Sequence, residues 1–413
     1  MSDFASNWKL VQLEDVAEVI DPHPSHRAPR VDPTGVPFVG IGDVNEDGTA
    51  NFSGARLVPL STFVEHNERY SLEDDLIGLG RVASVGKVVS LPKADTPYTI
   101  SPTLAVIAPR SIGKEFLLFA LRSPQLQNQL EGMKQGSGRQ SVGITKLRTV
   151  TIPLPSSAEQ VRIVEVLDQQ LSRLESALAS VKVVREKAEA FRRSLLHAAL
   201  SGELTGGAEE WREVTLGAIA ELSLGIMLDK KKETGLHQVP YLANVNVRWG
   251  SFSLAGLKTM QVLPNQRERA EVRLGDVVAC EGGEPGRAAV WLSEQPIAIQ
   301  KALHRIRPRP GVLPSFILYI LEERFRGVVD DPLFTGTTIK HLPKEKLERL
   351  PLFLPPLAVQ EHIVNVLEER LSRLSNALGV ASQLEARIVA ERRSLLHAAF
   401  TGALTAEWRK THV

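Results

Sequence analysis

The stretch from Gly80 to Val88 comes closest to a nucleotide-binding motif. It reads GRVASVGKV, whereas a phosphate loop has four residues between its glycines and a Ser or Thr after the lysine. Here five residues separate Gly80 from Gly86, and Val88 stands where the magnesium-binding hydroxyl belongs. Gly286 and Arg287 repeat the glycine and basic residue near the corresponding place of the second half. We therefore predict a structural turn shared by the two halves, and no nucleotide site.

Histidines, serines and carboxylates show no pattern of a reaction centre. The ten histidines lack the spacing of zinc ligands. His197 and His397 occupy matching positions of two predicted helices, and we interpret them as interface or core residues. The Gly-x-Ser-x-Gly elbow and the Asn-Pro-Pro-aromatic motif of amino-methyltransferases are both absent. The sequence therefore predicts no catalytic residue, no metal and no cofactor bound by this chain.

The composition excludes several classes of protein. The chain has 413 residues, of which 43% are apolar and 23% charged, as is typical of a folded protein of two to four domains. The formal charge of +1 excludes a polybasic protein but permits a local basic surface. A single cysteine, Cys280, excludes an internal disulfide and favours a reducing compartment, the cytoplasm. The first residues do not read as a secretory signal, and the apolar runs are too short to span a bilayer, so no membrane is expected.

The chain contains an internal duplication with a period of 200 residues. Between 161–205 and 361–405, 22 of 45 positions are identical, which unrelated segments rarely reach. The similarity thins upstream, where Trp8 and Trp211 open the two halves. Because Trp408 and Arg409 repeat this opening, we predict that the end of the chain folds back beside its beginning and closes a pseudo-twofold ring.

The duplicated segments predict two long helices. Apolar residues alternate at spacings of four and three, which over this length indicates a coiled coil. The first stripe comprises Leu167, Leu171, Leu174, Leu178 and Val181, followed after a slip of phase by Val184, Ala188, Phe191, Leu195 and Ala198. The second comprises Leu367, Leu371, Leu374, Leu378, Ala381, Leu384, Ile388, Leu395 and Ala398. No other long helix covers them, so we expect the two to pair; the alternative is a core helix of an ordinary bundle.

Capping residues mark the ends of both helices. The run from Ser157 to Gln160 fits a capping box, and Pro355 and Pro356 precede the second helix. Gly202 and Gly402 stand where helices commonly stop.

Upstream of each helix, short strand-like runs alternate with amphipathic segments. We predict strands over 104–108, 149–154, 277–279 and 350–354, and helices over 116–130 and 316–328. The fold class is α/β or α+β, with two globular parts joined by two long antiparallel helices that form a coiled coil. The predicted domains are 1–155, the first globular part; 156–205, the first helix; 206–355, the second globular part; and 356–413, the second helix with its ring-closing tail.

The whole arrangement resembles the specificity subunit of type I restriction–modification systems over essentially the full length. The resemblance is carried by the helical repeats at 158–205 and 358–405, by Trp8, Trp211 and Trp408, each followed by Lys or Arg, and by the prolines at 153, 155, 355 and 356. The duplication is its strongest part.

The resemblance implies a division of labour. Each globular part would be a target recognition domain that reads half of a bipartite sequence in double-stranded DNA. The paired helices would hold these domains apart and dock two methyltransferase subunits, and motor-nuclease restriction subunits would join them. S-adenosylmethionine, ATP and Mg would belong to those partners, and this chain would be non-catalytic. Because the globular parts differ strongly, an asymmetric target is expected.

The same resemblance turns attention to side chains that can read bases and bind phosphate. Arg suits guanine, Asn or Gln suits adenine, and Lys, Arg and hydroxyls suit phosphate. Two glycine-bounded loops carry the first candidates, Ser137, Arg139, Gln140 and Ser141 in one half and Thr337, Thr338, Lys340 and His341 in the other. Further candidates are Arg81, Ser84, Lys87, Lys146, Lys230, Lys231, Arg287, Gln300 and Lys301. For each, the alternative is a solvated surface residue.

Paired arginines on the long helices are candidates for partner binding. Arg192, Arg193, Arg392 and Arg393 lie in the best-matched segment. They would face the partner subunits or, equally, pair the two helices with each other.

Two other functions remain open at this point. The runner-up is a non-catalytic, pseudo-symmetric coiled-coil scaffold that binds two protein partners without reading DNA. The glycine-bounded basic loops count against it. In a third interpretation, the chain itself methylates or cuts DNA.

Overall fold

The chain forms two compact units, each built around one globular part. This computed structural model describes residues 5, 7–23, 28–45, 49–73, 75–93, 97–228 and 236–412. The first unit combines Met1–Lys182 with Ser382–Val413, and the second is the continuous segment Val183–Ala381. Each unit thus contains part of both long helices. The boundaries predicted at 155, 205 and 355 separate the helices from the globular parts instead, and they stay predictions.

The elements of the first unit run from the N-terminal strand into the first long helix. Its strands are β1 Lys9–Gln12, β2 Ala17–Ile20, β3 Val36–Val39, β4 Arg56–Val58, β5 Ile77–Gly80, β6 Val88–Ser90, β7 Thr99–Ile100, β8 Leu104–Pro109 and β9 Thr151–Leu154. Its helices are α1 Leu13–Val16, α2 Leu60–Asn67, α3 Lys114–Arg122, α4 Pro124–Met133, α5 Ile144–Arg148 and the start of α6 Ser157–Leu200.

The second unit repeats this order and leads into the second long helix. Its strands are β10 Arg212–Thr215, β11 Ala220–Leu224, β12 Gln238–Leu242, β13 Val247–Arg248, β14 Ser251–Phe252, β15 Lys258–Gln261, β16 Glu271–Val272, β17 Val277–Cys280, β18 Ala288–Val290, β19 Ile297–Ile299, β20 Leu303–Pro308 and β21 Pro351–Leu354. Its helices are α7 Leu216–Ile219, α8 Arg267–Ala270, α9 Pro314–Phe325, α10 Lys344–Glu348 and the start of α11 Leu357–Thr401. The final helix, α12 Ala406–His412, belongs to the first unit.

A four-stranded antiparallel sheet lies at the centre of each unit. Its order is β2-β8-β5-β6 in the first and β11-β20-β17-β18 in the second. A second sheet joins β4-β3-β7 in one and β15-β12-β19-β16 in the other, each with one parallel pair. Antiparallel and parallel pairing together with helices confirm the mixed class, and the matching orders confirm the duplication.

The strand after each opening tryptophan lies beside the strand that enters a long helix. Lys9 faces Leu154 in the β1–β9 ladder, and Arg212 faces Leu354 in the β10–β21 ladder. The start of each half is therefore fixed to its long helix by backbone hydrogen bonds.

The predicted helix over 116–130 is wrong in one respect, since it is two helices broken at Ser123. Pro124 cannot donate a backbone hydrogen bond, so it begins α4 while α3 ends before it. The Ser123 hydroxyl accepts a hydrogen bond from the backbone N–H of Leu126. The predicted capping box is likewise displaced, because the Ser156 hydroxyl caps α6 through the N–H of Glu159.

The two long helices run antiparallel where they meet within each unit. In the first unit, Ile163 and Leu167 near the start of α6 share a core with Leu396 and Phe400 near the end of α11. In the second unit, the end of α6 packs into one core with the start of α11. The helices have 44 and 45 residues, so the predicted paired long helices are confirmed.

Part of the predicted apolar stripe does not face a core. Val181, Ala188 and Leu195, seven residues apart, are buried, whereas Val184 and Phe191 are 48% and 49% exposed. In this stretch one residue per heptad is buried, and the second apolar position of the predicted pattern faces outward.

A buried carboxylate joins the tail of the chain to Trp8, the residue just before the first strand. Glu159 accepts hydrogen bonds from Trp8 Nε1 at 3.0 Å and from Thr405 Oγ1 at 2.8 Å. Arg409 Nε and Nη2 donate to the same carboxylate at 2.9 and 2.7 Å, and the guanidinium lies 5.5 Å from the centre of the Trp8 ring. The predicted return of the tail to the beginning of the chain is confirmed within the first unit. Val359 stands at the matching place of the second half.

Candidate nucleic-acid interface

The same tight turn follows β5 in the first unit and β17 in the second. The N–H of Gly80 donates to the Lys87 carbonyl at 2.7 Å, and the N–H of Cys280 donates to the Arg287 carbonyl at 2.8 Å. Gly86 and Gly286 have φ values of +91° and +87°, and a Cβ on either would collide with a side chain. The predicted shared structural turn is confirmed, and glycine is required in it.

A second loop lies against this turn in each unit. In the first, Gln135 and Ser141 exchange backbone hydrogen bonds of 3.0 and 2.9 Å, and the N–H of Val142 donates to the Arg81 carbonyl at 2.8 Å. In the second, Thr335 and His341 exchange two bonds of 2.8 Å, and the N–H of Leu342 donates to Glu281. In each unit, the glycine-bounded loop predicted from the sequence is therefore held against the turn by the same pattern of backbone hydrogen bonds.

The first unit exposes its candidate base-reading side chains. Ser137, Arg139 and Gln140 are exposed and line an open cleft with Ala83. Among the described residues, none accepts a hydrogen bond from the side chain of Arg139 or Gln140, so both are free to meet an external partner. Ser141 is half-buried beside them, whereas the further candidates Ser84 and Lys146 are exposed.

Arg81 and Lys87 are bonded within the first unit. The Arg81 guanidinium lies 3.2 Å from Asp21, and the Arg81 side chain is 14% exposed. The Lys87 ammonium donates to the Val44 carbonyl. Their assignment as DNA contacts stays a prediction, but in this structure both side chains fix the base of the turn.

Arg287 occupies an equivalent place in the second unit. Its guanidinium donates to Glu284 at 2.8 Å and to the Asn244 carbonyl at 2.9 Å, and Glu284 also accepts from Trp249 Nε1 at 2.7 Å. Asn244 and Trp249 carry no signal in the sequence that would mark them as part of this site, although the three-residue spacing of Glu284 and Arg287 could have suggested an ion pair. Arg287 thus holds the turn to the segment that follows β12.

The other candidates of the second unit are distributed over its loops. Lys340 forms a 2.8 Å ion pair with Asp330, while Thr337, Thr338 and His341 are exposed. Lys301 is exposed and Gln300 half-buried at the end of β19. Lys230 and Lys231 lie outside the described residues.

His304 supports the second loop from beneath. Its Nε2 lies 2.8 Å from the Leu342 carbonyl, to which it donates, and burial lowers the pKa of this imidazole to about 4. Burial likewise raises the pKa of the Cys280 thiol, to about 11, so this cysteine is a structural residue.

We expect His304 to make the protein less stable in mild acid. In the unfolded chain His304 binds a proton below about pH 6.5, whereas in the folded chain it binds one only below about pH 4. The free energy of unfolding therefore falls as the pH drops through this window. The loss approaches about 3 kcal/mol as the pH falls to about 4. Denaturant unfolding of wild type and His304→Gln from pH 7.5 to 4 measures it. Parallel pH profiles for the two proteins would contradict the assignment.

The helix arginines occupy different environments. Arg192 Nε lies 2.6 Å from Glu322, which is 2% exposed and also bound by Arg326 at 2.8 Å. Arg192 therefore binds the globular part of the second unit. This role is neither partner binding nor pairing of the two long helices, the two alternatives considered from the sequence. Arg392 is half-buried, whereas Arg193 and Arg393 are exposed; partner binding by these arginines stays a prediction.

In the described part of the chain, no group of three or more His, Cys, Asp or Glu side chains could hold a metal ion. Over the same residues, no helix is long and apolar enough to cross a membrane.

Comparison with known proteins decides the family. The family model for the type I restriction modification DNA specificity domain matches twice, at residues 5–180 and 208–385. The chain belongs to the type I restriction–modification DNA specificity family. Sequence recognition in DNA is the function of this family, and the resemblance seen in the sequence is confirmed. The alternative function, a scaffold that binds two protein partners without reading DNA, is not favoured.

Curated specificity subunits match over most of their length. The EcoKI specificity subunit of Escherichia coli strain K12 is 24% identical over 397 residues, which cover 91% of this chain and 83% of the relative. The StySPI specificity subunit of Salmonella potsdam is 22% identical over 390 residues, with the same coverages.

Solved structures show the same fold. A chain from a study of complex assembly and conformational transition of the type I R-M system superposes with a TM-score of 0.74 at 18% identity, covering 97% of this chain and 99% of that chain. The HsdS subunit from Thermoanaerobacter tengcongensis gives a TM-score of 0.51 at 18% identity, covering 97% and 98%.

Proposed function

We propose that this specificity subunit reads a bipartite, asymmetric target in double-stranded DNA, one half with each unit. One observation carries the proposal: the same pair of adjoining loops recurs in both units with different exposed side chains. Arg139 and Gln140 are presented in the first, Thr337 and Ile339 in the second. A common frame with different contact chemistry is suited to reading two different half-sites.

The proposal includes a division between recognition and catalysis. The chain supplies DNA contacts and long helices, while methylation and cleavage are done by two methyltransferase subunits and by restriction subunits in the cytoplasm. S-adenosylmethionine, ATP and Mg are held by those partners. The exposed Arg193 and Arg393 on the long helices are available to such subunits.

Modified bases in a genome test this proposal. The chain is expressed with its methyltransferase subunits in a host that lacks other adenine methyltransferases, and methylated adenines are mapped. We expect one motif with two unlike halves and an unread gap. A palindromic or ungapped motif, or no methylation, contradicts the proposal. Methyl transfer by the purified chain alone would contradict the non-catalytic assignment.

A further inference from the structure

The loop Gly336–His341 of the second unit has a fixed backbone and an apolar tip. Thr335 and His341 close it with two backbone hydrogen bonds of 2.8 Å. Gly336 has a φ of +89°, and a Cβ there would collide with the Ile339 carbonyl oxygen. Within this closed loop the Ile339 side chain is 63% exposed. An isoleucine side chain is therefore presented outward from a constrained loop.

Three cationic side chains near this loop are bonded within the unit. Lys340 pairs with Asp330 at 2.8 Å, Lys346 donates to the Pro332 carbonyl at 2.9 Å, and Arg287 binds Glu284. The Arg287 side chain is 18% exposed. What the loop tip offers to an incoming partner is thus two hydroxyls, an imidazole and a branched alkyl group.

The matching loop of the first unit offers the opposite chemistry. Arg139, which stands 200 residues before Ile339, is exposed and can donate paired hydrogen bonds to guanine. Isoleucine has no donor or acceptor, so it cannot distinguish bases by hydrogen bonding. It gains free energy by burying apolar surface against another apolar group. In the major groove, the apolar group that a base pair displays is the 5-methyl of thymine.

We propose that Ile339 contacts the 5-methyl group of a thymine in the second half-site and is a specificity-determining residue of that unit. The inference rests on the proposed function, because it requires the loop to lie in the major groove of the target. Thr337 and Thr338 flank the contact with hydroxyls that can bind phosphate or base edges. Other bases at this position leave Ile339 against polar groups.

Replacing single thymines by uracil tests the contact between Ile339 and a 5-methyl group, because each replacement removes one methyl group from the DNA. The complex of this chain with its methyltransferase subunits is titrated with duplexes carrying its mapped motif, in which each thymine of the second half-site is replaced singly by deoxyuridine. Uracil pairs like thymine but lacks the methyl group. We expect one position at which wild type binds about 3- to 10-fold more weakly, as loss of one buried methyl group would give. Ile339→Ala is expected to bind both duplexes equally, and Ile339→Val to keep most of the discrimination.

Leu292→Ala is the matched control, since Leu292 is 78% exposed in the same unit. It should discriminate as wild type does. Wild type that is indifferent to uracil at every position, or Ile339→Ala that remains as sensitive as wild type, overturns the inference. Failure of the complex to prefer its motif over a scrambled duplex would instead overturn the proposed function.

Discussion

Replacing Arg139 and Gln140 together by alanine is expected to weaken binding to the target about 100-fold, through the first half-site alone. A good bidentate contact between a side chain and a base contributes about 1–3 kcal/mol of discrimination, and about 1.4 kcal/mol is a tenfold change in affinity. The measurement is competition by duplexes in which the first or the second half-site is scrambled. Scrambling the first half should cost the variant little, while scrambling the second should cost it as much as wild type.

Arg110→Ala provides the control for charge. Arg110 is 61% exposed in the same unit and pairs with Glu18, so its loss should leave both half-site preferences intact. A uniform loss of affinity for every duplex with a smaller salt dependence would show that Arg139 binds phosphate. An unchanged sequence preference in the double variant would remove this loop from the interface.

Loss of the Glu159 carboxylate is expected to destabilise the first unit by about 3–5 kcal/mol, as removal of one partner from a buried ion pair does. Glu159→Ala leaves Arg409, whose side chain is 17% exposed, without its counter-ion, and leaves Trp8 Nε1 without its acceptor. Denaturant unfolding monitored by circular dichroism measures the loss.

Two further variants separate the buried pair from surface charge. Glu165→Ala removes a carboxylate that is 59% exposed and bound to Arg162, and should change stability by less than about 0.5 kcal/mol. Glu159→Val combined with Arg409→Met removes both charges, and we expect it to recover part of the stability lost in Glu159→Ala. Equal losses in Glu165→Ala and Glu159→Ala would refute a stabilising role for the buried pair.

The duplication made the larger features of this fold predictable. Long helices are predictable because apolar residues recur at helical spacing along a single segment. The repetition of this pattern after 200 residues indicated two helices of similar length that could pair with each other. Gly86 and Gly286 could be paired as one turn because both halves keep glycine where the backbone requires a positive φ. The exposed loop with Arg139 and Gln140 was also recognised, because flanking glycines and polar residues are local signals.

The individual side-chain partners of distant residues could not be predicted. Arg192 looked like a surface residue of a helix, yet its partner Glu322 lies 130 residues away. Arg287 is a predicted DNA contact, and its hydrogen bond to the carbonyl of Asn244, 43 residues upstream, had no signal in the sequence. Sequence shows that a side chain can donate, whereas only the fold determines which acceptor is in reach. The outward-facing Phe191 shows the same limit for apolar residues.

The composition of the first unit has a consequence for biosynthesis. Phe116 packs against Phe400, with ring centres 5.3 Å apart, so the first unit cannot complete its core until the ribosome has synthesised Phe400. The second unit is continuous and needs no later segment. Although translation of the first unit begins earlier, all residues of the second unit are therefore made before the first unit has all of its own, and the second unit can complete its fold first. A nonsense mutation shortly before Phe400 would damage the part of the protein that was translated earliest.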